Sequence, residues 1–380
     1  MWNVVRVAYF DEGKASLLLG PVHEVCDRLR RDGVVRRMMV LPHWKRGPHV
    51  DVIADCDAQV FEERVAPLCR EVIGAWIARH PSATVLDAAK YELLSQRLGF
   101  AELEPGPYVP LLDNNTVSTA AYAPSATLKL PEFAVAKEDF LASSLDLAFV
   151  LLREKQNDAN ACLLTLAAMM AIVGETYEAG GLARGFLSYR SHAQYFFSVY
   201  DQSGALRTRF DALDRALAPA LDECVRCVLR SRFEDIPLDA VWRDTLLRWR
   251  AIANETAREC RAIVARHHDT LVNDQTFARL AEVITKDIPR GVLPDPNQAA
   301  PNAMWTAFQH DKGQRVLTSR EFLAYRATVN FFYLLLPFLE ISPAQKFCVC
   351  HLVSNATERV LGTSWQSLMG MGTEPEVVAR

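Results

Sequence analysis

The chain has 380 residues and a mass of 42.6 kDa; 50% of residues are apolar, 23% are charged, and the mean hydropathy is +0.01. These proportions exclude a disordered or collagen-like chain, and a core of this size needs no disulfide or metal staple. A net charge of -4 and a pI near 6.2 give no positive field for nucleic acid, so neither DNA nor RNA is an expected partner.

Trp2 to Phe10 is β-branched and aromatic and predicts a strand. Leu18, Leu19, Val22, Val25, Cys26 and Leu29 recur at helical spacing, and Gly33 closes that helix. Val34 to Leu41 and His49 to Ala54 read as two strands joined by the turn Lys45-Arg46-Gly47-Pro48. Ala58 to Arg79 predicts a helix, His80-Pro81-Ser82 breaks it, and Thr84 to Leu98 predicts another. Tyr108 to Tyr122 reads as extended. The order β-α-β-β-α followed by an extended segment predicts a ferredoxin-like sheet unit over residues 1–125, within an α+β fold. Pro124 to Pro131 reads as a connection, and residues 126–380 read as a mainly helical domain. Helices are expected over 136–154, 159–178, 181–200, 203–230, 239–267, 273–285, 318–339 and 343–362. Asp287 to Asn302, with prolines at 289, 294, 296 and 301, reads as a long loop.

The longest apolar run, Ala161 to Gly174, is interrupted only by Thr165 and is too short to span a bilayer, so no membrane association is expected. Met1 to Val5 lacks a basic stretch, and Asp11 and Glu12 follow early, so no secretory signal is expected. Nine scattered cysteines point to free thiols in a reducing cytoplasm. Cys224-x-x-Cys227 and Cys348-x-Cys350-His351 carry zinc-ligand chemistry, but they fall in a helical stretch without turn glycines and in an apolar segment. Packing is the expected role, and no metal is expected. The chain lacks a glycine-rich dinucleotide fingerprint, a P-loop, HExxH, GxSxG and the kinase signatures. No cofactor is expected, and any chemistry rests on positioning, hydrogen bonds and acid-base groups.

Ser188, Ser191, His192 and Tyr195 share one helix face at steps of three and four, while Tyr189 and Arg190 point elsewhere. That face is either a proton-transfer strip or a buried surface whose hydroxyls bond to the preceding turn. Thr318-x-x-Glu321 reads as a capping box, which puts Ser319 at a helix start, with Tyr325 nearly two turns beyond Thr318. His351 and Asn355 lie four apart, the spacing of an inter-helix hydrogen-bonding pair. Arg28, Arg30, Arg31, Arg36, Arg37, Lys45 and Arg46 form a basic run, either a solvated face or a dock for an acidic peptide.

Leu41-Pro-His-Trp44-Lys-Arg-Gly47-Pro48-His49-Val50-Asp51-Val52 resembles a signature of the lantibiotic-dehydratase C-terminal, thiopeptide-type family. Phe186 to His192 resembles the family's central helix, and His351-x-x-x-Asn355 with the later Leu361-Gly362 resembles its closing helix. The resemblance implies one of two activities on a precursor peptide. One branch eliminates glutamate from glutamylated Ser or Thr. The other condenses two dehydroalanines in a formal aza (4+2) cycloaddition, then loses water and the leader peptide to leave a pyridine macrocycle. Eliminating members carry Arg-x-Arg shortly after Gly-Pro-His; here Asp51 and Ile53 occupy those positions. Pro110 to Val117 likewise departs from their Glu-rich Arg-Tyr-Gly-Gly stretch. Both departures resemble the pyridine-forming branch, whose late-helix serine and tyrosine map to Ser319 and Tyr325. The resemblance implies Ser319 and Tyr325 near the iminol, and Ser188, Tyr189 and His192 for proton transfer or positioning. It implies substrate contacts at Trp44, Arg184, Arg190 and Asn115, with the acidic leader at Arg30, Arg31, Arg36 and Arg37. The implied partners are that leader, a dehydrated azole-bearing core, and transiently other enzymes of the pathway. The alternatives are a stand-alone glutamate-eliminating domain and a non-catalytic leader-binding scaffold.

Overall fold

Four strands, β1 (Trp2–Ala8), β2 (Arg37–His43), β3 (His49–Asp55) and β4 (Thr116–Ala120), form one antiparallel sheet in the order β2-β3-β1-β4. In register, Val4 faces Ile53, Val40 faces Val52, and Arg6 faces both Asp51 and Ser118. Helical residues 15–31 and 58–79 connect the strands as the ferredoxin-like arrangement requires. They bury Leu17, Leu18, Val22, Val25, Cys26 and Leu29 from the first, and Phe61, Val65, Cys69, Ile73 and Ile77 from the second. A π turn over Leu18–Val22 accommodates Pro21, which has no N–H to donate. The structure, a computed structural model, describes residues 1–370 apart from 126, 129, 287, 290, 294–299 and 301. Most of the expected proline-rich loop over 287–302 lies outside the described residues.

The remainder is helical, so the fold is the α+β class expected. Its main helices are α4 (Pro131–Asn157), α5 (Ala159–Glu175), α6 (Leu182–Tyr200), α7 (Ala205–Leu229), α8 (Ala240–Val272), α12 (Arg320–Tyr333) and α13 (Pro343–Leu361). Several element bounds differ from expectation by a few residues. The helix expected from Thr84 begins at Ala88, because Asp87 accepts from the N–H groups of Ala89 and Lys90 and caps it there. Helix α12 stops at Tyr333, ahead of Pro337, instead of reaching 339. Two short helices, Ala303–Gln309 and Asp311–Leu317, occupy a segment with no expected element.

Two compact units divide the chain. The first comprises Met1–Asn157, His267–Leu293 and Phe331–Ile341, and the second Asp158–Arg266, Pro294–Asn330 and Ser342–Arg380. In the first, α4 packs along β2, and Glu138 accepts from the Trp2 indole at 2.7 Å and the Tyr122 hydroxyl at 2.8 Å. In the second, the apolar helix α5 is the central element. It is buried from Leu164 to Gly174 and packs against α6, α7 and α13. The Trp249 indole N–H donates to the Met169 carbonyl at 3.0 Å, satisfying a polar group deep in that core. All nine cysteines are buried free thiols, and Cys224 is pushed up to about 12 by burial. Among the described residues, no helix is long and apolar enough to cross a membrane, and no three His, Cys, Asp or Glu are grouped to hold a metal ion.

Candidate active site

Helices α5 and α6 cross at a pair of glycines. A Cβ on Gly185 would stand 2.5 Å from the Gly174 carbonyl oxygen, so only glycine permits this approach. Between the helices, Gly180 and Gly181 turn with positive φ, and Glu175 accepts from the Leu182 N–H at 2.8 Å to cap α6. The Gly185 carbonyl, in the first turn of α6, accepts the Tyr325 hydroxyl from α12 at 2.8 Å in addition to its place in the helix. Tyr325 is 3% exposed, and burial raises its pKa, with a bonded Tyr189 hydroxyl pulling the other way. Tyr189 is fully buried and donates to the Met170 carbonyl at 2.7 Å. The Tyr177 ring lies 4.9 Å from that of Tyr325.

Above this tyrosine cluster runs a narrow crevice, too tight as it stands for a water molecule. It is lined by Glu321, Ala324, Tyr325 and Thr328 from α12, Ala257 and Arg261 from α8, and Thr176 and Glu178 from the turn after α5. The α12 residues follow steps of three and four, so one stripe of that helix faces inward. Ala257 and Ala324, small residues on the two facing helices, leave the gap. The crevice opens on a cleft of about 400 Å³ bordered by Glu178, Arg258, Arg261, Arg320 and Glu321, within the size range of a ligand site. Arg261 holds the turn by bonding the Thr176 carbonyl at 3.2 Å and Glu178 at 3.1 Å. Arg258 pairs with Glu255. Arg320 and Glu321 have no ion-pair partner among the described residues. Glu321 and Arg184 both act on Tyr177, whose pKa is raised first by burial and then by Glu321.

Ser319 stands just before α12, and its hydroxyl accepts from the Phe322 N–H at 3.2 Å. The expected capping box at Thr318 is therefore corrected by one residue. Thr318 ends the preceding short helix, with its hydroxyl donating to the Gln314 carbonyl at 2.9 Å. Sequence periodicity had no sign of that helix, so it placed the cap one position early.

Farther along α6 the side chains enter a different environment. Ser188 is buried, and its carbonyl accepts from the Ser191 hydroxyl at 2.8 Å, the local back-bonding that one of the two sequence readings describes. Half-buried His192 is pulled down to about 4 by burial and by Lys346. Arg190, 4% exposed, donates to Asn355 at 2.7 Å and Glu358 at 2.8 Å. Asn355 in turn bonds Asp214 at 3.0 Å and His351 at 3.1 Å, while His351 bonds Asp211 at 2.7 Å. This network clasps α6, α7 and α13, and the bonds of His351 to Asp211 and of Asn355 to Asp214 are the inter-helix hydrogen bonding expected of that pair.

The family model for lantibiotic biosynthesis dehydratase C-terminal domains matches residues 2–357. The chain belongs to that family. Among solved structures, the pyridine synthase TbtD from thiomuracin biosynthesis is similar in fold, with a TM-score of 0.67 and 23% identity over 95% of this chain and 99% of that one. TsrL is similar with a TM-score of 0.61 and 15% identity over 97% of each chain. No curated protein sequence searched matches.

The remaining residues singled out in this family member lie in the first unit. Trp44 stacks on His43 at 5.3 Å, approaches Tyr108 at 5.9 Å, and donates to Glu102 at 2.9 Å. Asn115, at a positive φ of 63, is bonded in both directions to the Ser82 backbone, at 2.8 and 3.0 Å. Arg30 pairs with Asp27 and Asp146, Arg36 with Asp55, and Arg37 with Asp55 and Asp139. Most of the basic run is therefore neutralised in place, and exposed Arg31 has no partner among the described residues. Of the predicted site residues, Tyr325 alone lines the α12 crevice; Tyr189 neighbours Tyr325, Arg184 acts on Tyr177, Ser319 caps α12, and Ser188, Arg190 and His192 lie along the rest of α6. Sequence reasoning missed Tyr177 and Arg261, which carried no signal, and read Glu321 only as the acid of a capping box.

Proposed function

We propose that this chain condenses two dehydroalanines of a precursor peptide in a formal aza (4+2) cycloaddition and then releases water and the leader to form a pyridine macrocycle. The observation that carries this reading is on β3. Where glutamate-eliminating members carry Arg-x-Arg, Asp51 is tied to Arg6 by two bonds of 2.8 and 2.7 Å, and Ile53 is buried in the sheet core. No guanidinium from those two positions is present to clamp a glutamyl carboxylate. The eliminating alternative would use different arginines, for example Arg184 or Arg190; Arg190 is committed to Asn355 and Glu358, while Arg184 has no ion-pair partner among the described residues. The likeness of the fold to a thiomuracin pyridine synthase supports the same branch.

In this reading the cleft beside the Tyr325 crevice holds the two alkenes in contact. Orientation of that kind contributes up to about 7–11 kcal/mol. Tyr325 and Ser319 serve the iminol tautomer, with Tyr189 fixing the Tyr325 phenol from below. Neutral His192 and the Ser188 hydroxyl act farther along α6. The acidic leader meets the basic face of the sheet unit at Arg31, with Arg30, Arg36 and Arg37 available only by exchanging carboxylates, and Trp44 and Asn115 are further peptide-contacting positions on that unit by itself. The chemistry requires no cofactor, and the nine free thiols suit a reducing cytoplasm.

Mass spectrometry after incubation with a dehydroalanine-bearing, azole-containing precursor tests the reading. Leader release with macrocycle formation is expected. Glutamate loss from a glutamylated precursor would assign the chain to the eliminating branch, and tight leader binding without any mass change would make it a scaffold.

A further inference from the structure

Of the five ionised groups bordering the cleft, Glu178, Arg258 and Arg261 are engaged within the second unit, while Arg320 and Glu321 have no ion-pair partner among the described residues. Glu178 is held by Arg261, and Arg258 by Glu255. Glu321 is the exception among the carboxylates. It is exposed, lacks an ion-pair partner among the described residues, and lines both the open cleft and the crevice beneath. It stands one helical turn from Tyr325, so its carboxylate lies where the two spaces meet, on the same face of α12. Around it are Tyr177 and Glu178 from the turn after α5, Arg184 from α6, Arg258 and Arg261 from α8, and Arg320 and Tyr325 from its own helix. A carboxylate left free at the mouth of a site, where the other carboxylate, Glu178, is held by Arg261, is available to exchange protons with whatever occupies the cleft.

We propose that Glu321 is the acid-base catalytic residue for leader expulsion, a step that rests on the cyclase reading. After ring closure and loss of water, the leader remains joined through its amide nitrogen to a saturated ring carbon. The Glu321 carboxylate removes a proton from the adjacent ring CH₂. That electron pair forms the last ring double bond as the bond from carbon to the leader nitrogen breaks. The departing nitrogen then takes the proton from the Glu321 carboxylic acid, which releases the leader as a carboxamide and restores the carboxylate. The dihydropyridine becomes a pyridine by elimination alone, so no oxidant is needed.

The test compares wild type, Glu321→Gln and Glu321→Asp on a dehydroalanine-bearing precursor, following ring closure and leader release separately by mass spectrometry across pH. Circular dichroism and melting confirm that the variants fold. Glu321→Gln should slow leader release about 10²-fold, the lower end for losing an acid-base group, while the leader-bearing dihydropyridine accumulates. It should also flatten the acidic limb of the pH-rate profile for release, and Glu321→Asp should recover part of the rate. Leader release by Glu321→Gln at the wild-type rate would overturn the assignment. So would an equal slowing of ring closure and release without the adduct, because that marks a structural or binding role. If wild type itself closes no ring, the cyclase reading fails and the Glu321 assignment falls with it.

Discussion

Tyr325 is held more tightly than its place in the sequence suggested. Its hydroxyl donates to the Gly185 carbonyl at 2.8 Å and meets Tyr189, so the phenol is oriented before any peptide arrives. Such preorganisation is what a proton-handling group needs, because the cost of ordering it is met in folding. Tyr325→Phe keeps the ring against Tyr177 and removes one oxygen. The Gly185 carbonyl keeps its partner within the helix, so stability should fall by only about 0.5–1.5 kcal/mol, the usual net worth of one hydrogen bond. Turnover should fall by about 10²-fold or more with little change in peptide affinity, since the contact matters mainly in the transition state. Denaturant titration, steady-state kinetics and a binding isotherm on the same variant separate these effects. Near-normal turnover would make the phenol structural and move the proton chemistry elsewhere on α6 or α12.

At the scale of elements, the sequence disclosed what periodicity and punctuation encode. The valines of β1 and β3, the i, i+4 pair of His351 and Asn355, and the glycine and proline turns all led to elements that the structure contains. The sequence could not disclose pairings between distant segments. Arg30, Arg36 and Arg37 read as one basic face, yet their carboxylates come from Asp55, Asp139 and Asp146, far along the chain. The crevice escaped notice for a similar reason, because it is defined by alanines on α8 and α12, which carry no motif. The close helix contact of Gly174 against Gly185 sets where the Gly185 carbonyl sits and therefore where Tyr325 points. Gly185→Ala forces a methyl to within 2.5 Å of the Gly174 oxygen. Helices α5 and α6 must separate, at a cost of about 1–3 kcal/mol for overpacking. Turnover should drop along with stability, as the Tyr325 acceptor shifts. A chemical-denaturation midpoint equal to that of wild type would show that the crossing is looser than this contact implies.

Across the whole molecule, both units hold histidines that folding keeps neutral. In the first, His43 is pulled down to about 4, by burial first and then by His49, and His49 itself is lowered by burial. In the second, His192 is pulled down to about 4, and His351 is lowered by burial and by Arg190. In the unfolded chain each titrates near its ordinary value of about 6.5. The unfolded state therefore binds these protons first as pH falls, and stability follows the difference. Above about pH 6.5 the histidine contribution is complete, and it is lost progressively down to about 4. Carboxylates come later. Asp55, which burial opposes but Arg36 and the N-terminal amine hold down near about 2, protonates only at more acidic pH. Calorimetry from pH 8 to 4 should thus show a level melting temperature down to about 6.5 and then a fall on the order of 5 °C or more. Because each unit carries its own neutral histidines, two resolved transitions would both move. His43→Gln should flatten the descent in the first unit, and His192→Gln in the second. A melting temperature that stays level down to pH 4.5 would mean that these imidazoles are already charged in the folded protein, which their burial argues against.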